Sequence, residues 1–432
     1  MLQAVFNAFK IPDLRRKIIF TLLMLVVFRV VAHIPVPGVD LARLDQLLQQ
    51  NQLLGMLNLF SGSALRQFSI AAMGVYPYIT ASIIFQLLTP IIPRLDELSK
   101  EGEQGRATLN RYQHMTTVPL ALLQAFGQCQ LMKSQGVLAD FGLFDGATAL
   151  RSIAILISMT TGTMFLVWIG ELITQNGIGQ GVSIIIFGGI VANLPSSIGQ
   201  LVSGDSISQN IAGIAIFIIL GLLTIVGIIL INEGQRKIQV NYARRVRGNR
   251  QYGGQTTHIP LKVNSAGMIP LIFAVSIMVF PGYIANLFTA SDRPWLQGAA
   301  TTLATVFDAN SLQYQIIYFL MVVGFTYFYT VVIFQQQNIA ENLQKNGGFI
   351  PGIRPGLPTN AFLTRVLTRI TLAGALFLGI VAVLPWIASR VTGVQTLFLG
   401  STSLLIVVGV AIDTMRQLEA QLLMRHYEGF IK

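Results

Sequence analysis

Ten apolar runs divide this sequence, beginning near Ile18, Val75, Thr116, Ile153, Val182, Ile211, Ala266, Ile316, Ile370 and Thr396. Each is long enough for the roughly 30 Å hydrocarbon core of a bilayer, which takes about 17 to 25 residues of helix. A chain patterned this way must take lipid as its main solvent and satisfy its backbone hydrogen bonds inside helices. Charge content agrees, since 11% of the 432 residues are charged, against about a quarter in soluble chains.

An even number of spans returns both ends to one side, and the basic residues choose that side. The tail before the first run carries 4 (Lys10, Arg15, Arg16, Lys17), loops 94–111, 236–262 and 345–369 carry 4, 7 and 4, and the tail from Arg416 carries 3, which makes 22. The opposite face holds 6: Arg43, Arg66, Lys133, Arg151, Arg293 and Arg390. This bias places both termini in the cytoplasm. The basic start followed by an apolar run resembles a secretory signal, but no A-x-A pattern surrounds Ala32, His33 and Ile34, so an uncleaved first span is expected. Arg29 alone stays inside that span, near its external end, where it is expected to snorkel.

Dividing the ten spans at the loop near 201–210 leaves five on each side. An odd number per half gives residues 1–200 and 201–432 opposite orientations, the arrangement of an inverted repeat with its working site near the midplane. Segment 53–74 fits neither span nor loop. It is apolar, yet Asn58, Ser61, Gly62, Ser63, Arg66 and Gln67 interrupt it. It suits a short re-entrant helix shielded by protein or an amphipathic helix at the interface.

Several activities lack their residues. No lysine follows a glycine, so there is no P-loop for ATP phosphates. His33, His114, His258 and His426 lack H-E-x-x-H spacing, and the single cysteine, Cys129, excludes an intrachain disulfide. Glu171, Glu233 and Asp413 sit at span ends, so an ion-coupled relay has no carriers at the span centres. Gly177, Gly179 and Gly181 form a G-x-G-x-G with no strand before it, which suits a tight interfacial turn.

Two features remain positive. Loop 233–265 gathers Arg236, Lys237, Arg244, Arg245, Arg247, Arg250 and Lys262 around Tyr242 and Tyr252. Such a cluster anchors topology, or grips phosphates of RNA or of lipid headgroups. Ile79 and Ile83 lie one helical turn apart in the second run, as do Ile186 and Ile190 in the fifth. That spacing alone suits a lipid face or a packed core as well as a pore.

Read continuously, the chain resembles the SecY family, channel subunits of bacterial and plastid translocons. The blocks that carry the resemblance run nearly end to end: IPVPG at 34–38, MLNLFSGSAL at 56–65, PYITASIIFQLL at 77–88, KEGEQGR at 100–106, GTMFLVWIGE at 162–171, GIGQGVSIIIFGGIV at 177–191, VNYARR at 240–245, PLKVNSAGMIP at 260–270, GFIPGIRPG at 348–356 and GSTSLLIVV at 400–408.

The resemblance implies an all-α integral membrane protein of ten transmembrane helices in two inverted five-helix halves, with a re-entrant plug around Asn58, Phe60, Ser61, Gly62 and Arg66. It implies a pore ring of Ile79, Ile83, Ile186, Ile190, Ile272 and Ile406, whose branched apolar side chains dewet when the pore is empty and yield as a gasket around a moving chain. Thr89, Gln124 and Asn264 match polar positions of a lateral gate through which apolar helices leave for lipid; the same residues also suit plain helix packing. Arg244, Arg245, Arg247 and Arg250, with Arg354 in loop 336–368, resemble docking surfaces for the ribosome and the SecA motor ATPase. SecE- and SecG-type small subunits, secretory and membrane-protein chains, and membrane lipids complete the implied partners. No cofactor, metal or catalytic residue is implied. Phe334, Gln335 and Gln336 depart from the F-N-P of many relatives. A secondary transporter with a five-plus-five inverted repeat and a structural scaffold are the rival functions.

Overall fold

The computed structural model describes residues 9, 11–50, 58, 61, 62, 64–138, 141, 142, 148–203, 211–242, 245–247, 250–252, 256–267, 269–288, 294–308, 311–392 and 397–428. In chain order the longer helices are α1 (Pro12–Ala32), α2 (Leu41–Gln50), α3 (Tyr76–Leu88), α4 (Pro93–Lys100), α5 (Glu103–Ser134), α6 (Ala149–Asn176), α7 (Gly181–Ser203) and α8 (Ile211–Glu233). After four strands come α9 (Ile269–Phe288), α10 (Pro294–Val306), α11 (Leu312–Gln336), the short α12 (Ile339–Lys345), α13 (Leu357–Thr392) and α14 (Leu397–Glu428).

Each expected apolar run falls on a helix. Among the described residues, Ala149–Asn176, Leu312–Lys345 and Leu357–Ala388 are long and apolar enough to cross a membrane, and α3 with α4 passes as a pair bent by 101°. The helices expose apolar stripes, as at Ile19, Leu22, Val26 and Val30 on α1 or Leu372, Leu376 and Ile380 on α13. Their three- and four-residue spacing makes one face per helix. Such faces are stable against acyl chains, which are as apolar as leucine.

Two compact units emerge. The first contains Met1–Leu220, Ser276–Gln315 and Pro385–Lys432. Within it α5 packs on α3, α4 and α6, α7 packs on α6 and α14, and α1 lies against α6 and α7. One cluster joins Val36, Leu44, Leu65, Phe68, Cys129, Met132, Leu138 and Met159, a dry core beneath α2 and the segment that precedes α3. A smaller one joins Leu14 near the start of α1, Ile178 before α7 and Leu418 late in α14. This cluster thus brings the start of α1 against a late turn of α14.

The second unit, Gly221–Val275 with Ile316–Leu384, holds a feature absent from the sequence-based expectation. Loop 233–265 is built of strands. β1 (Gln235–Tyr242) pairs antiparallel with β4 (Thr256–Lys262) from Gln235↔Lys262 to Asn241↔Thr256, and on its other edge with β5 (Gly348–Phe349). Between them β2 (Arg245–Arg247) pairs with β3 (Arg250–Tyr252). Period-two alternation explains the ladder: Ile238 and Val240 turn inward while Lys237 and Gln239 stay exposed, and Leu261 is buried between exposed Pro260 and Lys262. Pro260 is tolerated because β4 is an edge strand.

Candidate functional site

The six isoleucines expected to form a ring are all buried, at 7% exposure for Ile79 and Ile272, 3% for Ile83, 2% for Ile190 and Ile406, and 1% for Ile186. They therefore face protein rather than acyl chains. Ile79 and Ile83 sit on α3, Ile186 and Ile190 on α7, Ile406 on α14, and Ile272 on α9 in the second unit. The start of α3 is tethered, since Tyr76 Oη donates to the Ser276 carbonyl at 2.7 Å.

A polar cluster holds α3 from its other side. Glu171 Oε1 on α6 accepts from Asn110 Nδ2 at 3.0 Å and lies 2.8 Å from His114 Nε2, both on α5. Tyr78 of α3 donates to Asn110 Oδ1 at 3.4 Å, and its ring lies 5.4 Å from the His114 imidazole, tilted by 55°. Glu171 thus links three helices.

Segment 53–74 is described at Asn58, which is helical, at Ser61 and Gly62, and from Ala64 onward. It forms one 3-10 turn, Leu65–Gln67, followed by successive turns to Gly74. The reason is local: Phe68 adopts left-handed backbone at φ 43° and ψ 50°, which ends the turn while its side chain is fully buried. Several of its polar groups are tied locally. Ser61 Oγ donates to the Asn58 carbonyl and accepts from Leu65 N, Asn58 Oδ1 accepts from Arg66 N, and Arg66 Nε pairs with Asp45 of α2 at 2.9 Å. The IPVPG stretch supplies the rest: Val36 N donates to the Phe68 carbonyl and Ile70 N to the Ile34 carbonyl. Phe60 lies outside the described residues.

Two contacts seat this segment on the helices. Gly62, at φ +66°, lies against Phe28 of α1 and against the backbone of Gly189 on α7, the residue beside Ile190. Arg29 Nη1 donates to the Gly62 carbonyl at 2.9 Å. Arg29 is thus part-buried with a protein acceptor within its reach.

The other expected residues are placed as follows. Thr89 Oγ1 donates to the Phe85 carbonyl at 2.7 Å, so its donor is used within α3. Gln124 lies on α5. Asn264 Nδ2 donates to Asn232 Oδ1 at 2.8 Å and to the Gly267 carbonyl at 3.1 Å, both inside the second unit. Arg245, Arg247 and Arg250 occupy the β2–β3 ribbon, and Arg244 lies outside the described residues. Arg354 is exposed on a turn whose flanks, Ile350 and Ile353, pack with Ile238, Val240, Leu261, Phe334 and Leu343. One cluster thus carries both basic segments. Without a proline after Phe334, α11 continues to Gln336, and Asn338 in left-handed backbone at φ 45° separates it from α12.

The G-x-G-x-G forms the tight turn between α6 and α7, with Ile178 N donating to Thr21 Oγ1 at 3.1 Å and Gly181 N to Thr174 Oγ1 at 2.9 Å. Sequence reasoning missed Glu171 as a hub. Its signal was present, as Asn110 and His114 stand one turn apart on α5 and present one polar face.

The chain is similar to known proteins. The SecY family model matches residues 69–415. The chain is 46% identical to protein translocase subunit SecY of Halalkalibacterium halodurans, covering 100% of both, and 44% identical to that of Thermotoga maritima, covering 100% of this chain and 98% of the relative. Among solved structures, a protein-conducting channel superposes with TM-score 0.62 at 16% identity over 96% of each chain. Sec61 in a canine ribosome–channel complex does so with TM-score 0.59 at 16% identity, again over 96% of each.

Proposed function

The chain belongs to the SecY family, and from that membership we propose how its residues conduct polypeptides. It is a membrane protein-conducting channel subunit of the translocase type, not an enzyme. In our reading ten spans form two inverted halves, 1–200 and 201–432, with both termini cytoplasmic. Ile79, Ile83, Ile186, Ile190, Ile272 and Ile406 line the waist. The observation that carries this is their burial in a chain whose other helical isoleucines and leucines so often face outward.

A ring of branched apolar side chains blocks ions by excluding water, yet makes no sequence-specific bond to a passing chain. Segment 53–74 seals the external funnel as a plug. Thr89, Gln124 and Asn264 border the lateral gate, where polar bonds worth about 1 kcal/mol in a membrane are weak enough for an entering apolar helix to replace. SecE- and SecG-type subunits clamp the channel. Because the chain has no nucleotide loop, the work comes from outside, from a ribosome or a SecA-type ATPase docked on the β2–β3 ribbon and the Arg354 turn. The test is disulfide or bifunctional crosslinking of a stalled secretory chain to cysteines at Ile83, Ile190 or Ile406 in a Cys129→Ser background. Crosslinks at these positions are expected; crosslinks confined to lipid-facing controls such as Leu23 and Leu376 would refute the waist.

A further inference from the structure

An arginine inside an apolar span costs about 2.5–3.5 kcal/mol at a helix centre, so its position asks for an explanation. Arg29 has one close at hand. Its guanidinium is only half-exposed and donates to the carbonyl of Gly62 at 2.9 Å. Gly62 belongs to no regular element, and its φ of +66° turns that carbonyl toward α1. The residue before Arg29, Phe28, is fully buried and abuts Gly62 from the same helix. Gly189 of α7 closes the other side.

We propose that Arg29 is the latch of the plug: a positioning residue whose charged hydrogen bond to the Gly62 carbonyl holds the plug at Gly62 in its seat between α1 and α7. The inference rests on the plug reading above and names what keeps the plug in place. A backbone carbonyl is a suitable acceptor for this purpose. A hydrogen bond from an ionised donor is stronger than a neutral one, yet a carbonyl carries no full charge, so release does not leave a bare carboxylate in the membrane. The second tie, Arg66 to Asp45, is exposed on both sides and therefore weak. Of the two charged ties, the Arg29 bond is thus the stronger, beside the apolar hold of Leu65 and Phe68 in the core. A polypeptide entering from the cytoplasm has to break the Arg29 bond at Gly62, and the residues after it, pinned by Val36 and Ile34, serve as the hinge.

Ser61 reports on the latch because it is 2% exposed while the plug is seated. In the purified complex with its small subunits, in nanodiscs, Ser61→Cys is introduced with Cys129→Ser, and its rate of reaction with a hydrophilic maleimide is measured. Arg29→Leu is expected to raise that rate about tenfold, the effect of losing one charge-assisted hydrogen bond. Arg29→Lys, which can still donate to the Gly62 carbonyl, is expected to restore it to within about threefold of the parent. A parental rate in Arg29→Leu overturns the latch, as does equal acceleration by leucine and lysine. Should Arg29→Leu not assemble, Arg29→Gln against Arg29→Lys gives the same decision, since only lysine keeps the charge. Stalled-chain crosslinking to Ile83, Ile190 and Ile406 separates the premises. Crosslinks with unchanged labelling sink the latch alone, and accelerated labelling without crosslinks sinks the waist while the latch stands.

Discussion

The backbone of Gly62 lies directly against that of Gly189, with no space for a side chain on either residue. A methyl group at position 189 would strike the plug backbone, which has no flexible side chain to yield. Overpacking of this kind typically costs about 1–3 kcal/mol.

Because the cost falls on the seated plug alone, Gly189→Ala is expected to favour the unseated form roughly tenfold. Ion conductance of proteoliposomes holding the complex without substrate should rise accordingly. Gly221→Ala is the control, as its added Cβ meets nothing within 4 Å. Equal leak in the two variants would show that the Gly62–Gly189 contact does not govern sealing.

Glu171→Ala is expected to destabilise the first unit, because it strands the Asn110 amide and removes the carboxylate beside the His114 imidazole. The loss should be about 1–3 kcal/mol, the usual penalty for leaving partly buried polar groups without a partner. Thermal unfolding of the detergent-solubilised complex measures it. Glu171→Gln keeps an acceptor for Asn110 and should fall between the parent and alanine.

Ile238→Ala is expected to weaken partner docking although it changes no charge. Ile238 is 8% exposed and helps to build the cluster that supports β1, β4 and the Arg354 turn, and truncating such a residue costs about 2–5 kcal/mol. Co-sedimentation of proteoliposomes with ribosomes should drop in Ile238→Ala as it does in Arg245→Glu with Arg247→Glu. The two variants differ in salt response: only the charge reversal should lose its effect as ionic strength rises.

The helical framework was legible because length and hydropathy act locally, and Ile79 with Ile83 already announced one face of α3. The β-ribbon was not. Its alternation at Ile238 and Val240 sits among arginines and lysines, which draw attention to charge, while the cluster that stabilises it comes from Phe334, Leu343 and Leu363, far along the chain. Arg29 was legible as an anomaly only. Its partner is a carbonyl, which every residue carries, so no side-chain pattern could have pointed to Gly62. The turns of 65–74 were hidden for a related reason: the left-handed backbone of Phe68 is sustained by burial among α5 and α6 residues such as Cys129 and Met159, not by its own preference.

Leu14 rests beside Ile178 and Leu418, so the foot of the first helix is covered by part of the last. Ribosomal synthesis delivers those pieces in order, and Leu418 arrives long after Leu14 and Ile178. Until then the base of α1 is only partly covered. A product terminated early keeps this greasy heel partly uncovered, whereas a finished molecule conceals it, which gives a membrane protease a physical basis for telling the two apart.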